Sequence, residues 1–160
     1  MNYDNSKVRR QDRLLDIENA LALLSNGEYG FLAFGDETGG YGIPINFVFS
    51  TGSIYFHCAP EGEKLRYTDR NVCFCVVGST TVQSSKFTTG YESVLAFGKI
   101  RTVEENVERM IAIELLIDKY SPEHKEIGLE YAKKSFHRTK ILRLNIEKVS
   151  GKCKKIETHN

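Results

Sequence analysis

From Tyr29 onward the hydrophobic pattern changes to a period of two, in short runs separated by glycine, proline and small polar residues. Successive side chains on a strand point to opposite faces, so each such run marks a strand with one face in a core. The first spans Tyr29 to Phe34, and the turn D-E-T-G-G from Asp36 to Gly40 leads into a second from Tyr41 to Phe49. Pro44 has no N–H for a ladder, so this strand needs an edge, an end or a bulge there. S-T-G-S makes a tight turn into a third strand, Ile54 to Cys58, with Ile54, Phe56 and Cys58 on one face and Tyr55 and His57 on the other. Val72 to Val77 is almost continuously apolar and predicts a central strand, followed by a polar loop over 80–91. Strands from Glu92 to Val103 and from Lys140 to Val149 complete the set.

Helical spacing is confined to a few places. Asp16 is placed to cap a helix whose apolar face holds Ile17, Ala20, Leu21 and Leu24, with Gly27 closing it. Glu104 and Glu105 suit the start of another, because acidic groups oppose the positive end of the helix dipole. Its stripe of Val107, Ile111 and Leu115, widened by Met110, Ile113 and Ile117, predicts core packing. Ser121 as N-cap and Pro122 at the first helical position begin a third helix, reaching about Ser135. Strands and helices do not alternate as parallel crossovers require. The fold class expected is therefore mainly β with peripheral helices, a small barrel in one domain over 1–160, with 1–13 as an N-terminal arm and 151–160 as a C-terminal tail. A small barrel is filled by its own side chains, which places any cofactor outside it, where two copies meet.

Composition removes several function classes. The net charge is +1, from 22 basic and 21 acidic residues spread along the chain, so no broad nucleic-acid or membrane-surface field exists. No apolar run approaches the ~20 residues of a membrane helix. A soluble, cytoplasmic protein is expected. The four cysteines have no metal-ligand spacing, which predicts free thiols and no metal site.

The stretch with most chemistry is I-Y-F-H-C-A-P-E-G-E-K, Ile54 to Lys64, followed by the helix-like E-K-L-R-Y-T-D-R. Gly62 allows close backbone approach, and Lys64 near a helix start would favour an anion such as phosphate. His57 can hold or give a proton near neutral pH, or it can be a structural histidine on the phosphate side. His124, His137 and His159 have no comparable setting and are read as surface residues.

These pieces, in order, resemble the flavin-binding split barrels related to pyridoxamine phosphate oxidase, and within them the nitroimidazole-resistance protein family. The resemblance is carried by G-E-Y-G-F-L-A at Gly27, G-I-P-I-N-F-V at Gly42, the Ile54 motif, N-V-C-F-C-V-V-G at Asn71, K-F-T-T-G-Y-E-S-V at Lys86 and H-R-T-K-I-L-R-L at His137. It implies a homodimer with two flavins at the subunit interface, FMN or alternatively FAD. By that resemblance Ile45, Asn46 and Phe47 would line the isoalloxazine, and His57 and Cys58 would follow the ribityl chain and phosphate. Gly62 and Lys64 would hold the phosphate. Tyr91 and Ser93 would reach a flavin across or near the interface, and Lys152 would close the site from the tail. The chain departs from the oxidases in having Glu63 beside Lys64 where they place an arginine, and it lacks their basic, aromatic C-terminal signature. Its A-F-G-D-E-T-G-G turn is also shorter and less polar than is usual in the nitroimidazole family.

The function this implies is reduction of a small nitroaromatic or nitroimidazole-type substrate by a flavin-dependent oxidoreductase, with His57 as catalytic residue and NADH or NADPH as reductant. The alternative is a non-catalytic flavin-binding redox sensor or cofactor store. Nucleic-acid and membrane partners are not expected.

Overall fold

The protein is described by a computed structural model covering residues 1–37 and 39–156. Thr38, within the D-E-T-G-G turn, and the expected surface residue His159 lie outside the described residues. In chain order the strands are β1 (Asn2–Tyr3), β2 (Gly30–Asp36), β3 (Gly39–Ile45), β4 (Val48–Ser50), β5 (Ser53–Cys58), β6 (Asn71–Gln83), β7 (Thr88–Thr102) and β8 (Lys140–Lys154). The helices are α1 (Ile17–Asn26), α2 (Asn106–Tyr120) and α3 (Lys125–Ser135).

The sheet runs β3-β2-β6-β7-β8-β5-β4, antiparallel throughout, with β1 joining β8 in parallel. Its two end strands, β3 and β4, are consecutive in the chain and separated only by Asn46 and Phe47. The sheet must therefore curl until its ends nearly meet, which makes it a barrel split along one seam. The single strand expected over Tyr41 to Phe49 is thus two strands on opposite edges, and Pro44 lies on the edge strand β3, where no outer neighbour asks for its N–H.

Inside the barrel, Phe47, Phe56 and Phe74 are fully buried, and Phe74 meets the other two edge-to-face at 4.8 and 5.1 Å. Losing one of these rings would cost about 3–5 kcal/mol. Helix α1 adds Ala20 and Leu24 to this core, and Asp16 caps it by accepting the Asn19 N–H at 2.8 Å. Ile17 is exposed, so the buried line of α1 is narrower than its apolar sequence suggests. Gly27 follows α1 at φ −58° and ψ 131°, an extended conformation that needs no left-handed glycine. A Cβ there would meet Val76 at 2.5 Å and the Leu23 carbonyl at 2.8 Å, so close packing demands the glycine.

A second, smaller core of Val103, Ala112, Ile113, Ala132 and Ile141 lies where α2 and α3 cover the outer face of β5 and β8. Here the rotation of α2 differs from expectation. Val107 and Ile111 are 65% and 53% exposed, while Ala112, Ile113 and Leu116 are buried. Polar anchors set this rotation. Glu108 accepts from Tyr55 Oη at 3.0 Å and from Arg143 at 2.6 Å, and Arg109 donates to the Phe136 and Thr139 carbonyls at 3.0 and 2.7 Å. Glu105 rather than Glu104 is the N-cap of α2. Ser121 precedes Pro122 as expected, but a 3-10 turn over Pro122–His124 intervenes before α3, and the Ser121 hydroxyl makes no capping bond.

The expected arm and tail are tied to β8 where they are described. Asp4 N–H donates to Val149 O at 2.9 Å, Gly151 N–H donates to Asn5 Oδ1 at 3.0 Å, and Gly151 to Lys154 extend β8 against β7. The expected polar loop over 80–91 is mostly strand: β6 and β7 continue as a hairpin to a tip at Ser84–Lys86, beside which Phe87 is 97% exposed. All four cysteines are free thiols, and no metal-binding cluster exists among the described residues.

Candidate functional site

The seam between β3 and β4 creates the site's first element. A two-residue joint leaves backbone groups without ladder partners, and unpaired buried groups are costly. One side chain resolves this: Tyr120, the last residue of α2, accepts the Phe47 N–H at 2.9 Å and has the Glu28 and Phe47 carbonyls as acceptors at 2.7 and 2.8 Å. Asn46 Nδ2 also donates to Glu28 O, at 3.4 Å. Asn46 is exposed and Ile45 half-buried, whereas the Phe47 ring faces the barrel core with Lys119 Nζ 3.8 Å above it. Phe47 thus presents neither its ring nor a free N–H to a ligand in this chain.

The second element is β5. Period-two alternation buries Ile54, Phe56 and Cys58 and puts Tyr55 and His57 on the other face, as the sequence predicts, and that face turns out to meet α2 and α3. His57 stands at the mouth of a cleft of about 420 Å³ between α2, α3 and the joint, shared with Asn46 and Tyr120. Desolvation by the cleft and, second, the nearby Lys64 ammonium hold its imidazole below the ordinary histidine pKa. Cys58 is on the opposite face, and burial pushes its thiol up despite the opposing charges of Lys64 and Lys140. Cys58 therefore stays protonated at neutral pH and can offer a ligand little beyond its backbone.

The third element is the loop after β5. Gly62 has φ +133°, a value that L side chains rarely adopt, and a Cβ there would find only Lys64 Nζ, at 3.9 Å. This opens a cradle beside the half-buried lysine. The expected helix after it is a 3-10 turn over Glu63–Tyr67, ended where Thr68 turns extended at ψ 141°, and fixed by Tyr67 stacking on Phe34 at 4.7 Å. So short a turn has no useful dipole, and the anion-binding argument rests on Lys64 and Gly62 alone. Glu63 pairs with Arg66 at 2.6 Å, which directs its charge to that arginine.

Tyr91, Ser93 and Lys152 form a separate cluster. Ser93 and Lys152 are register partners on β7 and β8, and Lys152 Nζ lies 5.4 Å from the Tyr91 ring centroid. Burial raises the Tyr91 pKa, but hydrogen bonds with Lys152 and Arg13 outweigh it and leave the phenol below its ordinary value. This cluster is far from the first. Cys58 pairs with Lys140 on β8 and Ser93 with Lys152, twelve residues further along, or roughly 40 Å of strand at full extension.

Sequence reasoning missed Tyr120, Tyr131 and Lys119. A tyrosine ending a helix just before Ser-Pro was visible, but nothing local pairs it with a joint 73 residues earlier.

Comparison with known proteins adds the following. The family profile of pyridoxamine 5′-phosphate oxidase matches residues 16–153. No curated protein matches the chain. Among solved structures, a proposed 5-nitroimidazole antibiotic resistance protein from Bacteroides thetaiotaomicron is 19% identical, with 88% of this chain and 86% of that one covered at a TM-score of 0.69. An FAD- and haem-binding protein from Mycobacterium smegmatis is 17% identical, with coverages of 92% and 76% and a TM-score of 0.75. An FAD-binding protein from the same organism is 20% identical, with coverages of 90% and 99% and a TM-score of 0.60. Identities this low establish the shared fold and no more. The profile match, in contrast, runs from the cap of α1 almost to the end of β8 and includes the seam, His57, Lys64 and the Tyr91 cluster, so this chain belongs to the pyridoxamine 5′-phosphate oxidase family.

Proposed function

We propose that this protein is a cytoplasmic, flavin-dependent oxidoreductase that binds FMN, or alternatively FAD, between two copies of the chain and reduces a small nitroaromatic or nitroimidazole-type compound. The observation that carries the proposal is the grouping of an open glycine–lysine cradle, a histidine and a ligand-sized cleft around the end of β5. The FAD-binding proteins of the same fold support the flavin, and the Bacteroides thetaiotaomicron protein supports the nitro substrate.

The cradle fits a phosphate. Lys64 supplies the charge, Gly62 leaves room for an approaching oxygen, and Glu63 is engaged with Arg66. Bound there, a flavin would pass electrons from NADH or NADPH to the acceptor. The His57 imidazole, neutral at neutral pH, offers one N–H to an acceptor oxygen, and its protonated fraction grows as pH falls. The apolar walls of α2 and α3 border the same cleft, at which His57 stays exposed. With Glu63 beside Lys64 in place of an arginine, oxidation of pyridoxamine phosphate is not the activity we infer.

The test is the visible absorption spectrum of the purified protein, with chromatography of any flavin released on denaturation and an assay of NADH or NADPH consumption with a nitro compound. About one flavin per chain with turnover is expected. A colourless protein that takes up neither FMN nor FAD overturns the proposal, and a tightly held flavin without turnover on any acceptor identifies a redox sensor or cofactor store.

A further inference from the structure

The hairpin of β6 and β7 carries at its tip a side chain for which the single chain has no use. Phe87 has φ +47° and is 97% exposed. A left-handed backbone is costly for an aromatic residue, and so is a ring left wholly in water, so both point to a task outside the chain. Beside it opens a groove of about 580 Å³, with Arg13 and Lys154 as its charged groups and no aspartate or glutamate among the described residues lining it. The carboxylates nearby are engaged elsewhere. Asp12 stands 3.8 Å from Arg13 Nε but is held by Arg10 at 2.7 and 2.5 Å, and Glu92 accepts the Ser79 N–H at 3.2 Å. Lys154 Nζ donates to Thr88 Oγ1, a neutral partner that leaves its charge in place. Tyr91 also lines the groove, and it is hydrogen-bonded to Arg13 and to Lys152, which adds a third cation beside it.

We infer that this groove binds a phosphorylated adenosine, and that it recognises the 2′-phosphate of NADPH, which makes NADPH rather than NADH the reductant. Phe87 offers the face on which an adenine stacks. Arg13 and Lys154 offer charge-assisted hydrogen bonds to phosphate oxygens from two sides of one groove. A carboxylate is what recognises the free ribose diol of NADH, whereas a guanidinium accommodates a 2′-phosphate, and the groove presents the second kind of group. Tyr91 belongs both to the groove and to the cluster with Ser93 and Lys152, so a nucleotide bound here adjoins residues assigned to the flavin by resemblance. The choice of reductant rests on the proposed oxidoreductase reading; the binding of the nucleotide does not.

The experiment uses the protein as purified with redox-inert fragments, so that flavin turnover cannot supply the signal. Calorimetric titration compares 2′,5′-ADP with 5′-AMP and with ADP, whose charge is similar but whose phosphates both lie at the 5′ position, and absorbance records flavin on the same sample. 2′,5′-ADP should bind at least about tenfold more tightly than 5′-AMP, and more tightly than ADP. Phe87→Ala should weaken 2′,5′-ADP and 5′-AMP alike, by about two- to tenfold, because the base is common to both. Arg13→Gln should instead erase most of the preference for 2′,5′-ADP, the folding of both variants being checked by thermal melting. Equal affinity for 2′,5′-ADP and ADP, no binding of 2′,5′-ADP, or unchanged binding in either variant would overturn the inference. So would a Phe87→Ala protein whose assembly state in gel filtration changes along with its affinity, because the ring would then serve a contact between copies. A sample without flavin that shows these preferences would sustain the groove while removing the flavin reading, and one with flavin but without nucleotide binding would do the reverse.

Discussion

Lys64 and His57 occupy neighbouring positions but are assigned different tasks, and single substitutions separate them. Lys64 contributes charge at the cradle, so Lys64→Ala should release most of the flavin while leaving secondary structure unchanged. Absorbance after gel filtration measures this, and full retention would place the phosphate elsewhere. His57→Ala should keep the flavin and slow nitro reduction by at least about tenfold. Because the imidazole pKa is lowered, turnover that uses its protonated form should rise as pH falls below about 6.5, and this acid limb should vanish in the alanine variant. Lys119 is a residue of another kind. Its Nζ is buried over Phe47 without a hydrogen-bond partner among the described residues, and desolvation lowers its pKa from 10.5 to about 8. Between those values the unfolded chain binds the extra proton, so stability rises with pH across that window and the cost of the buried ammonium is greatest below it. Lys119→Met should therefore stabilise the protein at pH 7 by about 1–3 kcal/mol, with the gain shrinking as pH rises above 8. Urea melts at pH 7 and pH 10 would show this, and an equal gain at both would rule out the charge as its cause.

Among the elements, the β3–β4 joint depends most on a single distant group. Tyr120→Phe keeps the ring but removes the hydroxyl that pairs with Phe47, leaving a buried N–H unsatisfied, so a loss of about 1–3 kcal/mol is expected in chemical denaturation. A variant as stable as the parent would mean that water replaces the hydroxyl. This joint also shows the limits of reading the sequence. Local alternation made β5 legible to within one residue at its start, including the face of His57, because both sides of the pattern are fixed by burial on one side and α2 and α3 on the other. The break at Asn46 was hidden, since Ile45 to Phe49 continues to look like strand, and only closure of the barrel forces the chain to change edges there. The rotation of α2 was hidden for a related reason. Its apolar stripe is real, but Glu108 and Arg109 hold the helix through partners far away in sequence and turn Val107 and Ile111 outward. The helix expected after Gly62 stops as a 3-10 turn at Tyr67, because Thr68 turns extended at ψ 141°. The Gly62–Lys64 cradle was legible because its chemistry is contiguous; the cleft was not, because α2 and α3 meet β5 only in three dimensions.

For the whole molecule, the decisive fact is that residues assigned to a flavin site only by family resemblance lie in two clusters on one chain. His57, Gly62 and Lys64 adjoin the start of β8, while Tyr91, Ser93 and Lys152 lie twelve residues along it, too far for one flavin to touch both within a chain. Two copies related by a twofold axis could bring the first cluster of one against the second cluster of the other, and each would then complete two equivalent sites. The exposed apolar side chains Val77, Val82 and Phe87 lie on the hairpin next to the second cluster, where such a contact would cover them. If the site is shared in this way, Lys64→Ala and Lys152→Ala damage opposite halves of it. Each variant alone should bind little flavin, yet after unfolding and refolding together about half of the dimers should be mixed. One of the two sites in each mixed dimer would then be intact, so about a quarter of the parental flavin binding should return. Titration of the mixture with FMN measures this directly, with subunit exchange checked by a size tag on one variant. Verified exchange without recovery would mean that both lysines act within one chain, or that Lys152 lies outside the site.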